Sequence, residues 1–114
     1  MLPFKYRLKG KDNFEKVKTK GTLFQGHTLG LITFNRGDSL SPKVGFVVST
    51  KVSKKAVERN SVKRVLRKAF KTELSKIKPG YDILVLTKKS ILTKDIESLS
   101  KEVENTFLKA GLIK

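Results

Sequence analysis

The 114-residue chain has no cysteine, no tryptophan and a single histidine, and it carries only 10 acidic residues against 26 lysines and arginines. Without cysteine it can form neither disulfides nor thiolate zinc sites. No apolar run approaches the roughly 20 residues that a membrane-spanning helix needs, and the N-terminal stretch MLPFKYRLKGK is too polar for a signal peptide. These absences predict a soluble, cytoplasmic protein without a membrane partner.

The sequence offers little for an active site of its own. His27 stands in a turn-like Gly-His-Thr context, and Asp12, Asp38, Asp82 and Asp95 show neither pairing nor metal-ligand spacing. A metal-dependent nuclease needs convergent carboxylates or histidines, and a metal-free nuclease usually needs a histidine as general acid or base. We therefore predict no catalytic residue and no metal ligand in this chain, and we assign His27 to a surface turn.

Positive charge is what the chain has in excess. The formal net charge of +16 and the isoelectric point near 10.3 indicate a polyanionic partner, either nucleic acid or anionic lipid. The charge concentrates in residues 51–71, which hold nine lysines and arginines and one acidic residue, Glu58. Lipid is the weaker alternative, because interfacial helices expose an apolar face, whereas the apolar side of this segment is expected to face a core.

Residues 59–77 have the periodicity of an amphipathic helix. One side carries the apolar residues Val62, Val65, Leu66, Ala69, Phe70 and Ile77. The opposite side carries Asn60, Arg64, Arg67, Lys68 and Lys71, with Arg59 and Lys63 near the boundary. The cations repeat about one turn apart along a rod of roughly 30 Å, so several phosphates can be contacted at once. The amide of Asn60 can read a base edge or a 2′-hydroxyl.

The rest of the chain predicts a small mixed α and β domain. The expected elements are a helix over 13–20 capped by Asp12 and stopped by Gly21, strands over 28–34, 44–50 and 81–87, and a last helix over 94–109. The turn-forming residues 35–42 predict a hairpin between the first two strands. The last helix has Ile96, Leu99, Val103 and Phe107 on one stripe and nearly balanced charge, so we assign it to packing. We predict one domain, residues 1–114, built as an α/β (α+β) two-layer sandwich with a small mixed sheet packed by helices.

Residues 56–70, AVERNSVKRVLRKAF, strongly resemble the Arg-Asn helix signature of the bacterial ribonuclease P protein subunit. The resemblance covers nearly the whole chain through segments in a fixed order. These are Arg7-Leu8-Lys9, Asp12-Asn13-Phe14, Lys20-Gly21, Val44-Gly45, Val48-Ser49, Lys51-Val52 and Gly80-Tyr81-Asp82-Ile83. A lone basic helix is weak evidence, but the ordered set makes the match specific.

The resemblance implies both a fold and a function. In this family the basic helix lies in a left-handed β-α-β crossover, against the usual handedness. The catalyst is the RNA subunit, which holds most of the magnesium, and the complex cuts precursor tRNA to give the mature 5′ end. The protein would be a non-catalytic subunit that binds the RNA, with 1:1 stoichiometry, and the single-stranded 5′ leader of the precursor.

The resemblance also implies site residues. The catalytic RNA would be bound by Arg59, Asn60, Lys63, Arg64 and Arg67, to which we add Lys51, Lys68 and Lys71 from the same basic segment. The 5′ leader would lie in a cleft between the first helix, the sheet face and the neighbouring basic loop, against Phe14, Lys16, Val17, Lys18 and Ile32. Many members have an aromatic residue at the position of Lys18 and some have a tyrosine at that of Ile32, so we expect weaker stacking here.

Alternatives stay open at this stage. Phe14, Val17 and Ile32 also fit plain core packing, to which we assign Phe24, Phe34 and Phe46. A ribosomal or ribosome-assembly protein that binds RNA without any link to cleavage would have the same composition. A DNA-binding protein is disfavoured, because no short partner helix and tight turn precede the basic helix.

Overall fold

The computed structural model describes residues 6–71, 73–93 and 95–113, and within these ranges it contains three α-helices and four strands. They are α1 (Lys11–Lys20), β1 (Thr22–Gln25), β2 (Leu29–Asn35), β3 (Lys43–Val47), α2 (Ala56–Lys71), β4 (Tyr81–Thr87) and α3 (Ile96–Lys109). Short 3₁₀ turns, Leu74–Lys76 and Lys89–Thr93, follow α2 and β4. The predicted α+β architecture is confirmed. Among the described helices, none has the length and apolar character to cross a membrane.

The strands form one mixed sheet in the order β1, β2, β4, β3. β2 pairs antiparallel with β1 and with β4, whereas β3 runs parallel to β4. The predicted hairpin between residues 28–34 and 44–50 is therefore wrong, because β4 lies between these strands. The turn-forming residues 35–42 show that the chain changes direction, but they do not decide which strand becomes the neighbour. β4 takes the inner position because its apolar run, buried from Asp82 to Val85, suits a strand covered on both faces.

The predicted order of strand, helix and strand is confirmed, since α2 connects two adjacent parallel strands. α2 begins at Ala56, three residues before its predicted start, and ends at Lys71. Ile77, which we predicted to lie in this helix, follows the 3₁₀ turn and still packs in the core. The left-handed sense of the crossover stays a prediction.

Two hydrophobic clusters lie on the two faces of the sheet. On the larger, α2 and α3 cover the sheet, and Phe70 is fully buried with its ring edge-on to Phe46 and Phe107, at centroid distances of 5.1 Å each. On the smaller, α1 covers the other face through Val17, which packs with Leu8, Ile32 and Leu84. Because α1 has only 10 residues, it leaves part of this face accessible, and Phe34, Val47 and Leu86 are half-buried there.

The ends of the helices follow local capping rules. α1 stops at Gly21 as predicted but begins earlier, with Gly10 at the N-cap, so that Asp12 lies inside the first turn where the helix dipole favours a carboxylate. α3 begins after Asp95, whose side chain accepts a hydrogen bond from the Ser98 amide at 3.4 Å. Its residues Leu99, Val103 and Phe107 are buried as predicted. The side chain of Ile96 and residue 94, also part of that prediction, lie outside the described part of the chain.

β1 was missed by the sequence analysis, because its four residues are mostly exposed and show no alternation. A buried carboxylate explains its position. Glu102 of α3 accepts hydrogen bonds from the Thr28 amide (2.9 Å), the Thr28 hydroxyl (2.7 Å) and the Leu29 amide (3.2 Å). The turn between β1 and β2 is thus fixed by a residue 74 positions away, which is a tertiary contact that no local pattern reveals.

Candidate nucleic-acid interface

The solvent side of α2 carries a continuous row of polar and cationic side chains. Asn60, Arg64, Lys68 and Lys71 are all exposed, and we call these four residues the ridge. Arg64 makes one long contact, 3.4 Å from its Nη2 to the Ser61 hydroxyl, and Arg64, Lys68 and Lys71 line a shallow depression together with Arg67. Residues three or four apart on a helix are about 5–6 Å apart at Cβ, so the ridge presents closely spaced positive charges to a polyanion.

Three further cations predicted to bind RNA lie at the boundary between the ridge and the core. Arg59, Lys63 and Arg67 are half-buried. Their aliphatic stems can therefore pack against the protein while their charged ends reach solvent. Lys63 and Arg67 line a groove against β3, and Arg67 also borders the ridge.

Arg59 has a structural partner as well as a charge. Its Nη1 donates a 2.9 Å hydrogen bond to the carbonyl oxygen of Ser53, in the loop that enters α2. The Ser53 hydroxyl donates to Glu58 at 2.6 Å and accepts from the Lys55 amide at 3.1 Å. The loop is thus tied to the first turn of α2, and it carries the exposed Lys51. The predicted RNA-binding residues are therefore presented by a helix and by a loop whose position that helix fixes.

A groove of about 250 Å³ separates α1 from α2, and we call it the α1–α2 groove. It is lined by Arg7, Leu8, Lys9, Phe14, Val44, Gly45, Phe46, Lys63 and Arg67. Its walls come from the segment before α1, from α1, from β3 and from α2. Four of these residues are cationic and two are aromatic, which is the combination that binds single-stranded nucleic acid.

Phe14 reaches the groove because β3 has a glycine opposite it. A Cβ atom placed on Gly45 would lie 2.8 Å from the Cε1 and Cζ atoms of the Phe14 ring. Real Cβ atoms do not approach a ring so closely, so a larger residue at position 45 would push Phe14 away. The half-buried ring therefore lies on the strand backbone and lines the same groove as Lys63 and Arg67.

Of the other predicted leader residues, Val17 and Ile32 belong to the hydrophobic cluster against which Phe14 packs. Val17 is fully buried and Ile32 is 8% exposed, so both side chains support the sheet face under α1. Their contact with the leader stays a prediction. Lys16 lies over the Phe34 ring of β2, with its Nζ 5.0 Å from the ring centroid, whereas Phe14 lies against β3. Lys18 is exposed.

Sequence reasoning missed several members of this surface. Arg7 and Lys9 line the α1–α2 groove together with Phe46, which we predicted to be mainly a core residue. Arg7 forms an isolated parallel bridge with Val44, and the Leu8 amide donates to the Val44 carbonyl at 3.1 Å. The segment before α1 thus runs along β3 and delivers both cations. Their basic character was visible in the sequence, but nothing local indicated that they pair with β3.

The carboxylates do not converge. Within residues 6–71, 73–93 and 95–113, no group of three or more histidine, aspartate and glutamate side chains is placed to hold a metal ion. Asp38 and Asp82 both bind Arg36, and Asp95 caps α3. The hydrogen bond from the Arg36 guanidinium holds the pKa of Asp38 below its usual value, with help from the Leu40 amide, and it raises the pKa of Arg36. His27 is exposed beside the β1–β2 turn.

Comparison with known proteins decides what this surface belongs to. A family model described as Ribonuclease P matches residues 2–111, which is nearly the whole chain. The chain belongs to the ribonuclease P protein family. The match agrees with the resemblance seen in the sequence and leaves the ribosomal or assembly protein without support.

Relatives and solved structures of the family match most of the chain. The ribonuclease P protein component of a Pseudanabaena species is 35% identical over 113 residues, which are 99% of this chain and 97% of that protein. The corresponding protein of Clostridium kluyveri is 31% identical over 96% of this chain and 97% of its own length. The structure of the Staphylococcus aureus RNase P protein superposes with a TM-score of 0.85 at 26% identity, covering 96% of this chain and 98% of that one. The Thermotoga maritima RNase P protein gives 0.77 at 25% identity, with 87% and 92% covered.

Membership in the ribonuclease P family defines the role of the chain. It is the protein component of a ribonucleoprotein endoribonuclease that processes tRNA, in which RNA is the catalyst, and its partner is the ribonuclease P RNA. A cationic surface on α2 is the feature that such a partner requires.

Proposed function

We propose that this chain binds the ribonuclease P RNA through the ridge and holds the single-stranded 5′ leader of precursor tRNA in the α1–α2 groove. In this way it supports removal of the leader by the RNA subunit. The observation that carries the proposal is the convergence of Phe14, Lys63 and Arg67 on one groove next to the ridge. We expect one protein per RNA, in the cytoplasm.

The geometry of the α1–α2 groove suits a flexible single strand. The cations Arg7, Lys9, Lys63 and Arg67 lie on both walls, so a phosphodiester chain between them would meet positive charge from each side. The Phe14 ring offers a surface for one base, and such stacking is tolerant of sequence because every base has a π-face. A duplex, whose bases are already stacked, would gain nothing from the ring.

The α1–α2 groove and the ridge lie next to each other on α2. Lys63 and Arg67 lie in the groove, while Arg64 and Lys68, the residues that follow them along α2, belong to the ridge. An RNA docked on the ridge and a strand in the groove would therefore lie on neighbouring sides of one rigid helix. This arrangement would fix the leader relative to the catalytic RNA. Magnesium, which we expect the RNA to hold, would supply Lewis-acid stabilisation of the phosphoryl oxygens.

Reconstitution tests the proposed function directly. Processing of a precursor tRNA by a bacterial ribonuclease P RNA at low magnesium should occur when this protein is added. It should be absent with the protein alone and weak with the RNA alone. Tight RNA binding without any stimulation of cleavage would contradict the proposal and favour a purely structural RNA-binding role.

Phe14→Ala should weaken binding of precursor tRNA to the reconstituted complex by about tenfold, because it removes the surface on which one leader base stacks. Binding of mature tRNA, which has no leader, should not change. The measurement is the dissociation constant of each tRNA at fixed salt and magnesium. Phe24→Ala is the matched control, since Phe24 is also half-buried but lies on β1, outside the groove. An equal loss for precursor and mature tRNA would refute the leader assignment.

A further inference from the structure

A second groove runs along the other side of α2 and has no role in the proposal above. It lies between α2 and the 3₁₀ turn Lys89–Thr93, has a volume of about 340 Å³, and we call it the α2 side groove. Its lining consists of Val57, Glu58, Ser61, Val62, Val65, Ile91 and Leu92. This volume lies at the lower end of the range of about 300–1,000 Å³ for small-ligand pockets.

Folding does not account for the apolar rim of this groove. Val62 and Ile91 form a buried floor, but Val57 is 75% exposed, Val65 is 36% exposed and Leu92 is 39% exposed. Valine is β-branched and is a poorer helix former than alanine, lysine or arginine at a solvent position. Val57 and Val65 lie on one side of a helix that is otherwise rich in lysine and arginine. Their exposure therefore suggests that this side contacts something outside the chain.

The groove adjoins the ridge. Val57, Ser61 and Val65 are spaced four residues apart and form a row along α2, and Asn60, Arg64 and Lys68 form the next row. A nucleotide whose phosphate lies on the ridge would thus have the groove within reach of its sugar and base. The Glu58 carboxylate and the Ser61 hydroxyl line the same groove and offer hydrogen-bond acceptors.

We propose that the α2 side groove receives one unstacked nucleoside of the ribonuclease P RNA. This inference rests on the proposed docking of that RNA on the ridge. The apolar rim contacts the face of the base, while Ser61 and Glu58 accept hydrogen bonds from its N–H groups or from the 2′-hydroxyl. Extruded bases in loops and bulges are the features by which RNA is recognised specifically. The groove would therefore add selectivity for the RNA partner to the non-specific attraction of the ridge.

Charge argues against a second copy of this chain as the occupant. A two-fold symmetric contact brings the same patch of both copies together, so Arg64 and Lys68 of one chain would approach those of the other. Each copy also carries a net charge of +16. RNA, in contrast, neutralises these cations while it fills the groove.

The test compares a groove variant with a ridge variant in binding to the full ribonuclease P RNA. Val65→Ser together with Leu92→Ser should weaken binding about tenfold at every salt concentration, leaving the slope of log K against log salt unchanged, because no phosphate contact is lost. Leu23→Ser with Leu108→Ser is the matched control, since both leucines are exposed on other elements. Far-UV circular dichroism and the urea midpoint establish that each variant is folded.

A photo-crosslink identifies the occupant. With p-benzoylphenylalanine in place of Leu92, irradiation of the reconstituted complex should link the protein to the RNA at an unpaired nucleotide. A link to a second protein chain would overturn the inference. Unchanged affinity of the groove variant, alongside reduced affinity of the ridge variant Arg64→Gln with Lys68→Gln, would overturn this inference alone. Unchanged affinity of both variants would overturn the proposed docking on the ridge as well.

Discussion

Arg36→Met should lower the free energy of unfolding by about 3 kcal/mol, the cost of leaving a buried carboxylate without its partner. Asp82 is only 5% exposed and is bound by Arg36 Nη1. The same guanidinium donates to Asp38, to the Tyr81 carbonyl at 3.1 Å and to the Ser41 carbonyl at 2.8 Å. It thereby joins the connection between β2 and β3 to the start of β4. Urea unfolding followed by circular dichroism measures the loss.

Two variants separate the ion pair from general effects of removing an arginine. Arg64→Met, which removes an exposed arginine with one long hydrogen bond, should change the free energy of unfolding by less than about 0.5 kcal/mol. Adding Asp82→Leu to Arg36→Met should restore part of the stability, because an apolar residue no longer requires a partner. Equal urea midpoints for Arg36→Met and Arg64→Met would show that the network does not hold the connection.

The same network contributes a pH dependence. Because Arg36 lowers the pKa of Asp38 in the folded protein, this interaction stabilises the fold above the unfolded pKa of about 3.9 and is lost as the pH falls through the lower folded value. The wild-type protein should therefore lose stability below about pH 4 more steeply than Arg36→Met does. Urea midpoints between pH 3 and pH 6 give the comparison, and parallel curves would contradict it.

Arg64→Gln together with Lys68→Gln should weaken binding to the ribonuclease P RNA by about 25- to 60-fold at 0.1 M salt. Each lost phosphate contact lowers the magnitude of the slope of log K against log salt by about 0.7 to 0.9. Two lost contacts therefore reduce the affinity at 0.1 M salt by about 25- to 60-fold, relative to equal affinities at 1 M salt. Both side chains are exposed, so the fold should not change. Binding isotherms between 50 and 400 mM salt measure the slope and the affinity together.

The matched control removes two charges from other parts of the surface. Lys78→Gln with Lys101→Gln lowers the net charge by the same amount, and both lysines are exposed outside α2. If the ridge is the docking surface, the control should keep most of the slope. If both double variants lose the same slope, RNA binding depends on the overall charge of the protein and not on the ridge.

The residue pattern within one segment was sufficient to predict the helix α2 and the side that faces the core. The spacing of Val62, Leu66 and Phe70 predicted which side of the helix faces the core, and these three residues are buried, whereas Val65, predicted on the same side, is 36% exposed. The cations on the opposite side then followed, because a helix of known phase leaves each remaining residue on a known side. The family was equally accessible, since the ordered motifs span the chain, and the match over residues 2–111 confirmed it.

Local sequence patterns did not predict which distant segments pair with each other. The sheet order places β4 between β2 and β3, and the connection that suggested a hairpin is held to β4 by Arg36. Gly80 illustrates the same point. Its φ of +86° allows the turn, and a Cβ there would lie 2.3 Å from the Asp38 carbonyl oxygen, so the glycine is required by a contact with a residue 42 positions earlier.

The sequence by itself determined the basic helix, its buried side and the family, because these depend on residue order within one element or on ordered motifs. The tertiary structure alone decided which predicted site residues share a surface. It placed Phe14 in one groove with Lys63 and Arg67, added Arg7 and Lys9 to that groove, and buried Val17 and Ile32 under α1. The physical reason is that side chains on α1, β3 and α2 meet only through packing across the sheet, and the burial of a single side chain depends on what covers it.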